Sequence, residues 1–204
     1  MAKLKGPLFS LGASKSIGKA LVYFPWKGLN VVRTWVKPSN PKTAAQQTIR
    51  DYVTAAVAYI HYLQGLAVDK LTAADIQAYA LLASTFATPR TWFNAIVKQW
   101  IDQKVDSLSP MVCTGGETHV GVDSLEFNVR PWGVGAAAIT EGYFYYGTSK
   151  TALINAVLAG WAGNFAQSVV PGLVTGTKYY WQFRPTLPAY YLGARSGIYY
   201  GVPT

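Results

Sequence analysis

Two stretches of the chain have residue types at a spacing that suits chemistry. Tyr146-Gly147-Thr148-Ser149-Lys150 is a Y-x-x-x-K, in which a lysine four positions on can help a tyrosine act as a proton donor. Gly12-Ala13-Ser14-Lys15-Ser16-Ile17-Gly18 is a glycine-bounded turn of the kind that leads into a phosphate-facing helix N-terminus. Other constellations fail at once. The glycine stretch has five residues between Gly12 and Gly18, and Ala20 follows Lys19 where Ser or Thr would hold magnesium, so it is no Walker loop. His61 and His119 belong to no ligand-spaced pair, and Glu117 beside His119 is too little for a metal site. Cys113 stands alone, which excludes an intrachain disulfide and favours a small buried hydrophobe. No G-x-S-x-G elbow occurs. Asp123 and Glu126 are the one close carboxylate pair of the later half, with nothing to favour a two-carboxylate hydrolase.

Together the first two motifs resemble the glycine turn and Y-x-x-x-K of short-chain dehydrogenases, which implies an NAD(P) oxidoreductase. The elements that would position them are missing. Pro25, Trp26 and Gly28 interrupt the segment where a helix must face the pyrophosphate. No acidic residue for a ribose appears before Asp51, and Gly133 and Val134 stand where a catalytic serine should precede the tyrosine. Strands and helices do not alternate as a doubly wound sheet requires. The expectation is a chain that is no enzyme, with no catalytic, cofactor-binding or metal residues.

The charge is distributed unevenly. Residues 1–50 hold Lys3, Lys5, Lys15, Lys19, Lys27, Arg33, Lys37, Lys42 and Arg50 and no Asp or Glu, while the remainder sums to zero. The whole net charge of +9 therefore sits in the first quarter, where it attracts acidic surfaces or phosphates. Only 13% of residues are charged and 14% are aromatic, as expected of a large β core or of surface covered by partners. The start has no long apolar stretch, so no signal peptide is expected, and no apolar run reaches membrane-spanning length.

Three regions follow from periodicity. Residues 1–42 read as a basic β-hairpin arm: Ala20–Trp26, a turn at Lys27-Gly28-Leu29-Asn30, then Val31–Val36, with Pro25 marking an edge strand. Its interface candidates are Lys15, Lys19, Trp26, Lys27, Arg33, Trp35 and Lys37. Residues 43–106 read as three helices. The first starts at a Thr43/Gln46 capping box and buries Ala45, Ile49, Tyr52, Val53, Ala56, Ile60 and Leu63. The second starts at Thr72 with Asp75 as box partner and turns Ile76, Tyr79, Ala80 and Ala83 inward. The third starts at Thr88-Pro89 and carries a stripe from Trp92 to Ile101. Residues 107–204 carry short β-rich runs at 125–130, 143–146, 165–170, 179–184 and 198–202, with 151–162 open to helix or strand. The fold class is α+β in two modules: hairpin arm plus three-helix bundle, then an antiparallel β-sandwich.

Leu173-Val174-Thr175-Gly176-Thr177-Lys178-Tyr179 resembles the L-x-P-G-T-x-Y turn before the sixth strand of fibronectin type III domains, with Thr175 in place of proline. The resemblance covers about the second half of the chain. It implies a tyrosine corner with Tyr179 as its ring and Leu173 as core anchor, in a binding or spacer module. The progression Ser14-Lys15-Ser16-Ile17-Gly18, Trp26-Lys27-Gly28 and Pro38-Ser39-Asn40-Pro41-Lys42-Thr43-Ala44-Ala45-Gln46 is similar to that of a group of phage and prophage proteins, some of which then carry a β-sandwich. That implies a structural component of a tailed-phage virion (capsid, connector or tail), assembled in the host cytoplasm. Its partners would be other virion proteins, met as a homo-oligomer or in many symmetric copies, with no membrane. The alternative is nucleic-acid binding through residues 1–50, where basic and aromatic residues interleave. A further one is glycan binding, if Tyr190-Tyr191 and Tyr199-Tyr200 each turn one ring outward from a strand.

Overall fold

Contacts between residues divide the chain into two compact units, Met1–Thr43 and Ala44–Thr204. The computed structural model describes residues 2–4, 15–37 and 39–204. The first unit is a four-stranded antiparallel sheet of β1 (Ala2–Leu4), β2 (Lys15–Ile17), β3 (Leu21–Trp26) and β4 (Leu29–Thr34), in the order β1-β4-β3-β2. Lys27 and Gly28 join β3 to β4 with φ of +48° and +77°. Two successive left-handed residues match the twist of the flanking strands. Pro25 has no N–H to give a neighbour, and β2 pairs only with Leu21–Tyr23. Among the described residues β3 is thus interior at its start and an edge at Pro25.

The second unit is mixed α+β: three helices followed by a β-sandwich-like part. The helices are α1 (Ala44–Gly65), α2 (Ala73–Ala83) and α3 (Trp92–Val105). In α1 only Ala56, Ile60 and Leu63 are buried; Ala45, Ile49 and Val53, expected inward, are exposed. The stripe is present, but its buried part begins at Ala56, in the fourth turn. α2 is apolar on most sides, and a helix of that kind must be enclosed. It packs on α3 and on two strands of the sandwich. Its buried set includes Ala78, Leu82 and Asp75, while Ala80, expected inward, is exposed. α3 starts one turn later than the Thr88-Pro89 expectation. The Thr91 hydroxyl accepts from Asn94 N–H at 3.3 Å, and residues 88–90 form the loop instead, with Arg90 over the Phe86 ring.

The strands that follow are β5 (Met111–Gly121), β6 (Ser124–Gly133), β7 (Glu141–Gly147), β8 (Asn155–Leu158), β9 (Gly160–Ala162), β10 (Phe165–Pro171), β11 (Tyr179–Leu187) and β12 (Tyr199–Gly201). They form two antiparallel sheets, β5-β6-β10-β9 and β12-β11-β7-β8. The open segment 151–162 is resolved in favour of strand, as β8 and β9. Alternate residues of both sheets meet in one core of Leu125, Phe127, Val129, Phe144, Trp181 and Phe183. Trp181 stacks between Phe127 and Tyr199, with ring centroids 5.0 and 4.4 Å away. Burying such a ring contributes about 2–3 kcal/mol. A second core joins Ile60, Leu63, Leu82 and Trp100 of the helices to Val112 and Ile198 of the sandwich. The change from helix to strand near residue 107 therefore marks a change of secondary structure inside one packed unit.

Candidate interaction surfaces

In the N-terminal sheet the register sets Trp26 opposite Leu29, Phe24 opposite Val31 and Val22 opposite Arg33. Opposed residues of an antiparallel pair share a face, so these six lie together. Trp26 is 55% exposed and Leu29 48% exposed. Lys27 joins them at the hairpin tip and is exposed too, and the Arg33 guanidinium lies 5.4 Å from the Phe24 ring centre. Tyr23 and Val31 are the only buried hydrophobic residues among those described in this unit. Its 43 residues carry eight Lys or Arg and no carboxylate. The Trp26–Leu29 tip therefore has Lys27 beside it and no carboxylate anywhere in the unit.

The predicted interface residues fall at two ends of this sheet. Trp26 and Lys27 form one end. Lys19 lies in the turn before β3 at the other, near half-buried Trp35, whose N–H donates to Ala20 O at 2.8 Å. Arg33 sits between them on the apolar face, and Lys37 follows β4, exposed. Lys15 pairs with Tyr23 through its backbone; its side chain lies outside what is described.

The densest polar cluster joins α2 to the sandwich; the sequence offers its Thr72 box, inward Tyr79 and buried Cys113, but not the contacts that join them. Asp75 is fully buried. Its Oδ2 accepts from Thr72 N–H and Thr72 Oγ1, both at 2.8 Å, and from Gly115 N–H at 3.0 Å. Its Oδ1 accepts from Gly116 N–H at 2.9 Å and from the Tyr199 hydroxyl at 2.7 Å. One turn on, the Tyr79 hydroxyl accepts from Cys113 N–H at 2.8 Å. Ala78 O accepts from Ile198 N–H at 2.9 Å. Helix side chains thus take the outward N–H groups of β5, an edge strand that would otherwise present them unpaired. Gly115 makes this reach feasible with φ +59° at a bulge in β5. Gly116 must be glycine because a Cβ there would lie 2.1 Å from the Tyr199 ring.

Burial governs the titration of this cluster. Desolvation, then the neighbouring Cys113, pushes the Tyr79 hydroxyl well above its ordinary value. Desolvation and then Asp75 do the same to Tyr199 and to the Cys113 thiol. A thiol so held is a poor nucleophile at neutral pH. Beside the junction opens a cleft of roughly 450 Å³ lined by Ala74, Gln77, Gly116, His119 and Tyr200. The Glu117 carboxylate lies 3.4 Å from His119 Nε2 there, and both side chains are more than half exposed. Among the described residues no three His, Cys, Asp or Glu side chains gather as metal ligands.

The two chemical motifs end in different surroundings. Gly12, Ala13 and Ser14 lie outside the described residues. Lys15–Ile17 is strand β2, and the turn at Gly18 leads to antiparallel β3, where a dinucleotide site needs a helix. Tyr146 packs against Phe127 in the sandwich core, whereas the Lys150 amine donates to Ser84 Oγ at the end of α2. Farther along, the Tyr179 hydroxyl accepts from Val174 N–H at 3.2 Å. Leu173 is buried in the sandwich core. The adjacent tyrosines behave differently from one another. Tyr199 is buried and Tyr200 is 46% exposed. Tyr190 and Tyr191 lie in a short 3₁₀ turn, Tyr191 buried and Tyr190 partly so. No helix among the described residues is long and apolar enough to cross a membrane. No family model matches the chain, and no curated protein matches it at a significant level.

Proposed function

We propose that the chain is a non-catalytic structural or assembly component of a bacteriophage virion, docking on neighbouring virion proteins. The observation that carries this reading is the N-terminal sheet. It is cationic throughout, has two buried hydrophobic side chains among the described residues, and presents Trp26, Leu29 and Lys27 at one tip. Such a sheet is short of core on its own account and gains from a surface to cover it. The similarity of the Trp26-Lys27-Gly28 and Pro38–Gln46 stretches to phage proteins supports the setting. In this reading the C-terminal half is a fibronectin type III-like spacer. Its strand orders and the Tyr179–Val174 hydrogen bond support that assignment.

The test is assembly. Purified chain is expected to form a defined multi-copy species by light scattering, or to co-sediment with the particles of its source. Trp26→Ala combined with Lys27→Glu should abolish this while leaving the melting of residues 44–204 unchanged. A wild-type chain that stays monomeric and never co-sediments overturns the proposal. The second reading draws on the same cations. If DNA binds the wild-type chain with an affinity that falls steeply with salt, and particles do not, residues 1–50 serve nucleic acid instead.

A further inference from the structure

The second unit contains two half-buried arginines that are handled in opposite ways. Arg130, with 19% of its side chain exposed, is paired with Asp69, and its guanidinium stacks 4.0 Å from the Trp132 ring centre. That is the expected arrangement, because a cation withdrawn from water needs a counter-charge. Arg184 on β11 has no carboxylate partner among the described residues. Its Nε donates to Gln182 Oε1 at 3.1 Å, and its face lies 4.3 Å from the Tyr145 ring centre. Gln182 is itself fully buried and fixed through Nε2 to Ser196 O at 2.9 Å. The guanidinium is therefore held in one plane, while its terminal amino groups make no hydrogen bond to a described residue.

Arg184 lines a cleft of about 200 Å³ with Arg195 and Lys150, over a floor that includes Leu82 and Ile198. No Asp or Glu lines it among the described residues. Lys150 is partly accounted for, since its bond to Ser84 Oγ places it at the C-terminal end of α2, where a cation is favoured. Arg195 also borders a neighbouring cleft that contains Asp102 and Asp106, but it pairs with neither. That leaves two guanidinium groups facing one small cleft. Burial first, and the charge of Arg195 second, push the Arg184 pKa down, so the arrangement resists its own charge. Arg184 is held in place without a counter-charge, and a second cation, exposed Arg195, borders the same cleft, so the cleft favours an anion.

We propose that this cleft binds a phosphate-sized oxyanion, with Arg184 as the fixed bidentate donor, exposed Arg195 as the second donor and Gln182 as the positioning residue. A planar guanidinium with two free amino groups matches two oxygens of such an anion. The cleft, at about 200 Å³, has room for a phosphate group with water beside it. This site is independent of the docking tip on the N-terminal sheet.

The experiment is titration of the full chain with inorganic phosphate at ionic strength held constant with chloride, read by calorimetry and amide chemical shifts. Saturable one-to-one binding is expected, with shifts centred on Gln182, Arg184 and Arg195. Arg195→Gln, an exposed change that leaves the core alone, should weaken binding by about tenfold or more. Arg184→Gln should do the same, and Lys70→Gln, on the α1–α2 loop, should leave binding unchanged. Absence of saturable binding to the folded wild-type chain overturns the proposal, as does affinity that survives Arg195→Gln or that falls equally with Lys70→Gln.

Discussion

The N-terminal sheet and the sandwich are built from the same kind of strand and solve the problem of coverage differently. In the sandwich, two sheets close on each other around Phe127, Phe144 and Trp181, and α2 then caps the β5 edge with the Asp75 carboxylate and the Tyr79 hydroxyl. The N-terminal sheet has as many strands as either of those two sheets and a well-formed turn, yet buries only Tyr23 and Val31 among its described hydrophobic residues. Good local geometry makes a sheet; residues from elsewhere in sequence make it a stable layer. The first unit therefore has its turn chemistry in order and leaves Trp26 and Leu29 exposed.

The sharpest way to break this contrast is to remove the cap. Asp75→Ala orphans five hydrogen-bond donors in a buried site and should cost about 3–5 kcal/mol. Urea unfolding should show a large fall in the midpoint of residues 44–204, while amide exchange in Leu21–Thr34 stays as it was. Equal loss of protection in that hairpin would mean the two units are not energetically distinct. A pair of glycine substitutions gives a finer comparison. Gly116→Ala drives a methyl into the Tyr199 ring and should destabilise the second unit by about 1–3 kcal/mol. Gly18→Ala has no heavy atom within 4 Å and meets only its φ of +56°, so it should cost about 1 kcal/mol, confined to the first unit. Separate melting of the two variants by exchange-resolved mass spectrometry checks both.

The gentlest probe is alkali. Burial, then the neighbouring Tyr62, pushes Tyr59 from 10.0 up to about 12, and Tyr79, Tyr199 and Cys113 are held well above their ordinary values. The folded chain keeps these protons where the unfolded chain releases them, so their contribution is complete at neutral pH and declines as pH rises. Stability of the second unit should be flat below the ordinary thiol value of 9.0, then fall through 10.0 towards 12. Denaturant midpoints followed beside tyrosinate absorbance give the check. A midpoint that rises over that range would contradict the burial of these rings.

How much of this was legible in the sequence follows from where each signal is stored. The β3–β4 hairpin and the three helices announce themselves through neighbours: Lys27-Gly28 between β-rich runs, Thr72 three residues before Asp75, apolar steps of three and four. β5, the longest strand, was missed because Gly115-Gly116 reads locally as a turn. Those glycines are required by partners 40 and more positions away, Asp75 on one side and Tyr199 on the other. The same remoteness hid the cleft between Arg184, Arg195 and Lys150, which come from β11, the segment after the 3₁₀ turn, and the β7–β8 connection. In α1, periodicity identified the apolar face but could not say where along it the packing stops. For the interface candidates, composition located the charge, and only the register showed that Trp26 and Lys19 stand at opposite ends.

The Asp75 junction also constrains the order in which the molecule can be built. Its carboxylate is bound to groups 40, 41 and 124 residues farther along the chain. Closing the longest of these loops costs about 1 kcal/mol more entropy than closing the shortest. The contacts of α3 with α1 and α2 span less sequence than those of α2 with β12, so the full packing of α2 needs both β5 and β12 in place. The Asp75 junction is therefore complete only when Tyr199, on β12, has joined α2.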